Sequence, residues 1–522
     1  MPKLVQPRSP AEWAILCVLI GALLHLILGF LTGFSVDEAH YALYADHLSW
    51  SYFDHPPLVG WIQWPLIQLG FSEGFVRVIP ELLWIISCYL IYQITIGLCS
   101  LFPELDNTSP LVARPSADFC GLLAVICLVV SPLPHVLAIG LLPDSLLTPL
   151  SLSLMLLSIK WITVGKFTFF EWILVGLLLG LAGLSKYTAL FSAIALFLVL
   201  TSRPMKDWIG KSSFWLAVLI ALVLISPVLY WNWANSWISF KYQIAHGEGG
   251  HWALRRVAAF LGIQFIAFGP LLFLGFFKFC KPHLRSANFK PLTLLSFFLI
   301  PFTIFAILSG GGGLPHWTTP AWYCLAPFAG IGLGNCWSNS IHGPAPTTSR
   351  FFIRLLIYFQ VILCSVGFFL VIVGGVSSAL IKSNPIADLY GWNTAGQKAA
   401  QLVKIHNADG IAVQNWTLAS RIAWYARPIP VYVLDQRTDQ FDLWFGSQPL
   451  GGNAILIHWS EMPYNPPILA STKPTSSYNQ SLTGFEACRR LENEDLVVRR
   501  FGQKLSTFGF SLCRNWVGES QK

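Results

Sequence analysis

One segment near the N-terminus concentrates the side chains that can do acid–base chemistry. It runs from residue 35 to 64 and reads SVDEAHYALYADHLSWSYFDHPPLVGWIQW. Carboxylates and imidazoles can accept a proton from a substrate hydroxyl if they lie within hydrogen-bond reach of it. This segment is therefore the first candidate for an active site. Its ionisable members are Asp37, Glu38, His40, Asp46, His47, Asp54 and His55.

Two further charged residues interrupt apolar sequence, and each has a structural and a chemical explanation. Asp144 follows a proline in LLPDSLLTP, and Lys186 separates two apolar runs in GLSKYT. A charge at the centre of a bilayer costs roughly 2.5–3.5 kcal/mol on insertion scales, so such residues usually line a polar cavity or lie at a membrane edge. Asp144 is either a helix N-cap or a ligand-binding carboxylate. Lys186 either reaches towards the membrane surface or pairs with a phosphate or a carboxylate.

Arg255 and Arg256, in GHWALRRVAAF, are candidates for binding an anion. A guanidinium can donate two parallel hydrogen bonds to a phosphate, and the alternative is that both residues anchor lipid headgroups. His316, in GGGGLPHWTTP, is a candidate substrate contact. A divalent metal is an open alternative, for which the scattered carboxylates and histidines are only a weak signal, and the residues do not establish a required cofactor. The candidate metal ligands are Asp37, Asp144 and His55.

The composition identifies the setting of these residues. Hydrophobic residues make up 54% of the 522 positions, charged residues 11%, and the mean hydropathy is +0.59. A soluble chain carries roughly 25% charged residues, so the composition predicts an α-helical polytopic membrane protein. The net charge of +8 does not indicate a nucleic-acid partner, because the basic residues are scattered singly between apolar runs.

The apolar runs predict 11–13 transmembrane helices, since a helix needs roughly 20 apolar residues to cross a bilayer. The uncertainty comes from the fifth and sixth runs, which are short and separated only by Ser185, Lys186 and Tyr187. The predicted spans are 11–31, 78–101, 119–137, 146–163, 169–185, 188–202, 214–231, 257–277, 291–309, 318–336 and 351–381.

Lysine and arginine are enriched in cytoplasmic loops, and this bias predicts the orientation. With the N-terminus in the cytoplasm, the inner segments carry fourteen of these residues and the outer loops five. The first apolar run has no small-residue cleavage site and is expected to be a retained anchor. The predicted outer loops are 32–77, 138–145, 232–256 and 310–317.

From about residue 382 the sequence becomes polar and rich in turns. The runs IAVQNW, IPVYVL and NAILIHW predict short strands, and 393–405 predicts a helix. Residues 382–522 are therefore expected to form a small extracytoplasmic α/β domain, following a transmembrane domain at 1–381. Nine of the eleven cysteines lie in or beside apolar runs, and Cys488 and Cys513 could pair if this region is outside.

Taken alone, the residues predict a membrane protein whose carboxylates, cations and aromatic side chains meet at its outer face. They suggest a general base, an anionic partner and a lipidic substrate that is reached from within the membrane. Membrane lipids are therefore expected partners, and nucleic acid is not.

Several motifs in order along the chain resemble the dolichyl-phosphate-mannose–protein mannosyltransferase-like family of the C-type glycosyltransferase superfamily. The resemblance is to its bacterial branch, which is related to lipid A aminoarabinose transferases. It covers nearly the whole chain. The motifs are Asp37-Glu38 with SYFDHPPLVGW, PDSLLTPL, GLAGLSKYTALF, SPVLYWNWANSWISFKYQ, GWN at 391–393, ASRIAWYA at 419–426 and FDLW at 441–444.

The resemblance implies a C-type glycosyltransferase fold in which the first outer loop, 32–77, is catalytic. It implies a polyprenyl-phosphate sugar donor and a lipid or protein acceptor at the outer face of the inner membrane. Asp37 matches the family's catalytic acidic residue and is expected to be the general base. Lys186, Arg255 and Arg256 would stabilise the leaving phosphate. Residues expected to orient sugar and acceptor are Glu38, Asp54, His55, Asp144 and His316.

Two alternatives share these features. One is a flippase or transporter for a polyprenyl-linked sugar, which needs the cavity and the cations but no base. The other is an envelope polysaccharide polymerase or ligase that uses a diphosphate-linked oligosaccharide.

Overall fold

The computed structural model covers the full chain. It describes residues 8–102, 115–248, 251–283, 290–342, 346–376, 384–435, 437–461 and 484–518. Two compact units make up the chain. Unit 1 comprises Met1–Ile27, Ser49–Ile62 and Arg77–Val366, and unit 2 comprises Leu28–Leu48, Gln63–Val76 and Gly367–Lys522.

Helices account for most of the described residues. Every predicted span contains helix, although 351–381 ends earlier than expected, at Val373, with 377–381 outside the described residues. In chain order the helices are α1 Pro10–Leu31, α2 Val36–Asp46, α3 Leu58–Gln68, α4 Glu73–Val76, α5 Val78–Leu101, α6 Ala117–Val129, α7 Pro132–Ile139, α8 Pro143–Val164, α9 Phe169–Ser185, α10 Ala189–Leu200, α11 Ser212–Ala234, α12 Ile238–Glu248, α13 Leu254–His283, α14 Ser296–Leu308, α15 Thr319–His342, α16 Pro346–Val373, α17 Trp392–His406, α18 Trp416–Ala426 and α19 Gln440–Phe445.

Seven helices in the described part are long and apolar enough to cross a membrane, so the protein is a multi-pass membrane protein. The predicted span 119–137 is not one straight helix, because α6 and α7 meet at a bend of 76°. Pro132 begins α7, and proline cannot continue the hydrogen-bond ladder of the preceding helix. The predicted short pair 169–185 and 188–202 corresponds to two separate helices, α9 and α10.

Small residues bring the unit 1 helices α9 and α11 together. A Cβ atom at Gly176 would lie 2.5 Å from the carbonyl oxygen of Ala217. Only glycine allows this approach. Such close backbone packing replaces the hydrophobic driving force that helices lack in lipid.

A buried polar cross-link joins α1, α5 and α7 inside unit 1. Nδ1 of His25 lies 2.8 Å from Oε2 of Glu81, and its Nε2 lies 2.6 Å from Nδ1 of His135. The three residues are at most 5% exposed. Polar groups in such surroundings are stable only when they are hydrogen-bonded, so the cross-link fixes the mutual packing of the three helices.

We expect Glu81→Ala to destabilise the purified protein by about 3 kcal/mol, because His25 loses a buried partner and a cavity remains. Glu81→Gln, which keeps an acceptor oxygen, should cost less. The measurement is detergent–SDS unfolding followed by tryptophan fluorescence. Glu492→Ala, at an exposed turn, is the matched control and should leave stability unchanged. Equal stability of the Glu81→Ala variant and the parent would contradict the role of the cross-link.

The C-terminal part of unit 2 contains a six-stranded sheet flanked by α17 and α18, which confirms the predicted α/β class. The predicted strand runs correspond to β1, β2 and β3, and the predicted helix to α17. Strands β1, β2 and β3 are parallel, and β6 pairs antiparallel with β3, β4 and β5. A disulfide joins Cys488 on β4 to Cys513 on β6. The strands are β1 Gly410–Val413, β2 Val431–Val433, β3 Ala454–Trp459, β4 Phe485–Arg490, β5 Leu496–Arg500 and β6 Gln503–Trp516.

The first predicted outer loop, 32–77, is divided between the units. Its α2 portion belongs with the C-terminal residues in unit 2, whereas residues 49–62 belong to unit 1. The composition predicted a boundary at 381/382 and gave no sign that part of the first loop belongs with the C-terminal residues, because composition reports only local sequence.

Candidate active site

The helix α2 carries the predicted base, and its first turn distinguishes the two adjacent carboxylates. Ser35 is the N-cap, and Ser35 and Glu38 form a capping box in which Oε2 of Glu38 accepts the backbone N–H of Ser35 at 3.0 Å. Glu38 is 6% exposed, whereas Asp37 is half-buried. The structure therefore uses Glu38 to start the helix and leaves Asp37 as the more accessible carboxylate.

Contacts within unit 2 hold α2 in place along its length. The Oγ of Ser420 on α18 lies 3.2 Å from Nδ1 of His40, and Arg427 forms an ion pair with Asp46 at 2.5 Å. Before the helix, the backbone N–H of Phe34 donates to the hydroxyl of Tyr425 at 3.1 Å. The helix with the predicted base is thus fastened to the C-terminal α/β structure at both ends and in the middle.

Buried Asp439 caps α19, whose aromatic side chains pack against His40. Burial raises the pKa of Asp439 from 3.8 to about 6. The folded protein therefore binds a proton more tightly than the unfolded chain, and stability falls as the pH rises from about 4 to 6. Above that range the burial of the charge costs about 3 kcal/mol, at 1.36 kcal/mol per pKa unit.

We therefore expect Asp439→Asn to raise the thermal unfolding midpoint of the detergent-purified protein at pH 7.5 and to leave it unchanged near pH 4. Asparagine is also a good N-cap, so the helix start is preserved. The exposed Glu492→Gln variant is the control. Parallel midpoints for the parent and Asp439→Asn across this pH range would show that Asp439 is not the titrating group.

In unit 1 the structure brings Asp144 and Lys186 together. The Nζ of Lys186 donates to both carboxylate oxygens of Asp144 at 2.7 Å, and the side chains of Lys186 and Asp144 are 7% and 2% exposed. Asp144 lies inside the first turn of α8, and Leu142 is the cap residue, so Asp144 is not the N-cap. Of the alternatives for Lys186, the structure shows pairing with a carboxylate.

Asp54 and His55 lie in the unit 1 part of the first loop, which neighbouring segments hold in place. The carbonyl oxygen of Asp54 accepts from Nε2 of Gln243 at 2.5 Å, and that of Tyr52 accepts from Oγ of Ser239 at 2.8 Å. The backbone N–H of Tyr52 donates to the carbonyl of His55 at 3.1 Å, closing the turn. Both predicted residues therefore sit on an ordered loop.

Tyr187 was not predicted as a site residue, although it follows Lys186. Its hydroxyl lies 3.3 Å from Oγ of Ser51 and accepts from Nδ2 of Asn232 at 3.4 Å. Burial raises the pKa of this phenol, so it stays protonated at neutral pH. The loop that carries Asp54 is thereby tied to the segment that carries Lys186. The sequence signal that could have identified Tyr187 was its place in GLSKYT, because the hydroxyl of a buried tyrosine needs a hydrogen-bond partner.

The remaining predicted cations lie in the first turn of α13, and Arg256 contacts a glycine-rich loop of unit 1. Nη1 of Arg256 donates to the carbonyl of Gly311 at 2.9 Å, and both arginines are exposed. The carbonyl of Pro315, next to His316, accepts from Nε2 of Gln264 at 3.1 Å. Among the described residues, no group of three or more His, Cys, Asp or Glu side chains is arranged to hold a metal ion.

The chain has recognisable relatives. Residues 111–231 match the family described as dolichyl-phosphate-mannose-protein mannosyltransferase. Over 258 residues the chain is 28% identical to the lipid A galacturonosyltransferase RgtD of Rhizobium johnstonii, and this match covers 46% of the chain and 48% of the relative. The aligned part thus spans about half the length of that curated relative.

The fold is similar to crystal structures of ArnT from Cupriavidus metallidurans, one bound to undecaprenyl phosphate and one in the apo state. Both have a TM-score of 0.58 and cover 96% of this chain and 98% of that one, at 15% and 13% identity. The fold is that of the C-type glycosyltransferases, as predicted. The family match itself is confined to residues 111–231, in the region that carries PDSLLTPL and GLAGLSKYTALF.

Proposed function

We propose that the chain transfers a single sugar from a polyprenyl-phosphate donor to a hydroxyl group of a lipid or protein acceptor. The reaction would take place at the outer face of the cytoplasmic membrane, with the N-terminus in the cytoplasm and the C-terminal domain outside. The new glycosidic bond would form with inversion at the anomeric carbon, and polyprenyl phosphate would leave.

The donor class is supported by the matched family and by the solved structure with the same fold, ArnT, which was crystallised with undecaprenyl phosphate. The curated relative acts on lipid A, which favours a lipid A-type acceptor over a protein.

The observation that carries the mechanism is the difference between the two carboxylates at the start of α2. Glu38 is buried and engaged in the capping box, whereas Asp37 is half-buried on the same turn. Asp37 would accept the proton of the acceptor hydroxyl as its oxygen attacks the anomeric carbon. A carboxylate in the first turn of a helix lies at the positive end of the helix dipole, and an ionised carboxylate is the form that acts as a base.

The cations of unit 1 are proposed to act on the phosphate of the donor. Lys186 already donates to both carboxylate oxygens of Asp144. It would therefore act on the phosphate through its positive charge and by holding Asp144 in place. Arg255 and Arg256 are exposed and would bind the phosphate directly. Glu38 is proposed to act through the capping box that starts α2, and Asp54, His55, Asp144 and His316 remain the proposed contacts for the sugar and the acceptor.

Mass spectrometry of envelope glycolipids and glycoproteins from a strain lacking this chain tests the proposal. We expect one class of acceptor to lose a single sugar, and we expect the parent chain but not Asp37→Asn to restore it. If the chain were a flippase, which needs no base, both the parent chain and Asp37→Asn would restore the sugar. Unchanged glycolipids and glycoproteins in the deletion strain would contradict the proposal.

A further inference from the structure

The hairpin of β5 and β6 in unit 2 has an aromatic residue at its tip. Phe501 and Gly502 form the turn, and their φ angles of 46° and 79° are both positive, as in a type I′ turn. Asparagine or glycine is the usual first residue of such a turn, because a bulky side chain is strained there. The Phe501 side chain is 77% exposed, so packing within the described chain does not explain its place at this strained position.

Two cations face each other beside this turn. Arg499 on β5 is directly opposite Lys504 on β6, and both side chains are exposed. Like charges placed opposite each other in a sheet are destabilising. Among the described residues neither cation forms an ion pair, and the hydrogen bond that Nη1 of Arg499 donates, at 3.4 Å, goes to the uncharged carbonyl of Gly502. An anion bound between the two side chains would relieve their repulsion.

The hairpin is fixed to the end of a helix that is long and apolar enough to cross the membrane. Helix α16 contains the apolar span Ser349–Val373, and its last turn lies in unit 2 with the hairpin. The Nε of Arg500 donates to the carbonyl of Ile372 at 2.6 Å, one residue before the helix ends. Its guanidinium carbon also lies 4.5 Å from the centre of the Tyr390 ring, whose hydroxyl donates to the carbonyl of Val371. The hairpin is therefore held at the level where α16 leaves the hydrocarbon, which is the level of the lipid headgroups.

We propose that the tip of the β5–β6 hairpin binds an anionic phospholipid of the membrane. Arg499 and Lys504 hold the headgroup phosphate, since a guanidinium and an ammonium both donate charge-assisted hydrogen bonds to phosphate oxygens. Phe501 inserts into the interface, and burial of its ring in lipid offsets the strain of the turn. Phospholipid is the occupant that this place favours, because it supplies most of the phosphate at a membrane surface. The site takes no part in sugar transfer and does not rest on the proposed function.

Photo-crosslinking of the full-length chain in lipid nanodiscs tests the contact with lipid. The photoreactive analogue p-benzoyl-phenylalanine replaces Phe501, and the discs contain equal amounts of phosphatidylcholine and phosphatidylglycerol. We expect mass spectrometry to find phospholipid adducts at this position after irradiation. Leu450 is the matched control position, because it is 79% exposed and its neighbour Gly451 is hydrogen-bonded to Trp516, at the other end of β6. Absence of adducts at position 501, or equal yields at both positions, would overturn the proposal.

Removal of the two cations tests the recognition of the headgroup. In the chain with the photoreactive residue at position 501, adducts should favour phosphatidylglycerol over phosphatidylcholine. The double variant Arg499→Gln/Lys504→Gln should lower this preference by roughly tenfold, because each cation near an anionic surface strengthens lipid binding. Arg489→Gln/Arg514→Gln removes two exposed cations nearer the other end of β6 and should leave the preference unchanged. An equal loss in this control would assign the preference to net charge and overturn the proposed site.

Two further measurements in the same discs separate this site from the proposed active site. Asp37→Asn should give the same phospholipid adducts as the parent, so a failure of the proposed function would leave this result unchanged. A lipid A-type acceptor added to the discs should not replace the phospholipid adducts at position 501. If acceptor adducts replaced them, the hairpin would belong to an acceptor site and the proposal of a phospholipid site would be wrong.

Discussion

The Asp37→Asn variant is expected to lose at least about 10²–10⁴-fold in turnover, the contribution of a positioned general base. Asparagine has nearly the same shape as aspartate but cannot accept the acceptor's proton. The first turn of α2 should stay intact, because the capping box is made by Ser35 and Glu38. The measurement is transfer of a labelled sugar by detergent-purified protein, alongside its thermal unfolding midpoint.

Two variants on the same helix make this result specific. Glu38→Gln should stay active, because glutamine can also complete a capping box. Asp46→Asn removes an ion pair with Arg427 at the other end of α2 and should change turnover less than about threefold, since surface pairs contribute little. An inactive Glu38→Gln together with an active Asp37→Asn would assign the base to the other carboxylate.

The second large effect concerns the buried pair of unit 1. Lys186→Met leaves the carboxylate of Asp144 buried without a cation, and we expect a loss of about 3–5 kcal/mol in the free energy of unfolding. Asp144→Asn, which leaves Lys186 buried without an anion, should lower the free energy of unfolding by a similar amount. The double variant removes both charges and should regain most of the stability. Because the pair is proposed to act on the donor, the double variant should nevertheless stay inactive.

The exposed Lys160–Glu171 pair of the same unit is the matched control, and Lys160→Met should cost less than about 1 kcal/mol. The comparison is made by SDS titration of protein in mixed micelles. If the double variant regained activity with its stability, the pair would be purely structural.

The helices of the bundle could be predicted because long apolar runs have few alternatives in a membrane. The bend between α6 and α7 could not, since averaging hydropathy over a long window hides Pro132. Its position after a serine and before a second proline, in VVSPLP, was the local signal of a break.

The site was predicted in part. The sequence marked Asp37, Asp144 and Lys186, since charged residues next to apolar runs need partners. It did not show that Lys186 takes Asp144 as its partner, because 42 residues separate them. Nor did it show that α2 packs on α18, almost 400 residues later, where Ser420 reaches His40. Such contacts arise from tertiary packing, which no local pattern encodes.

The central claim is that this chain moves one sugar from a polyprenyl monophosphate. The most direct test supplies purified protein in detergent with a labelled polyprenyl-phosphate sugar and a lipid A-type acceptor. We predict one sugar added per acceptor, with inverted anomeric configuration and release of polyprenyl phosphate. Use of a diphosphate-linked oligosaccharide but not the monophosphate, or movement of the donor across proteoliposomes without any product, would contradict the account.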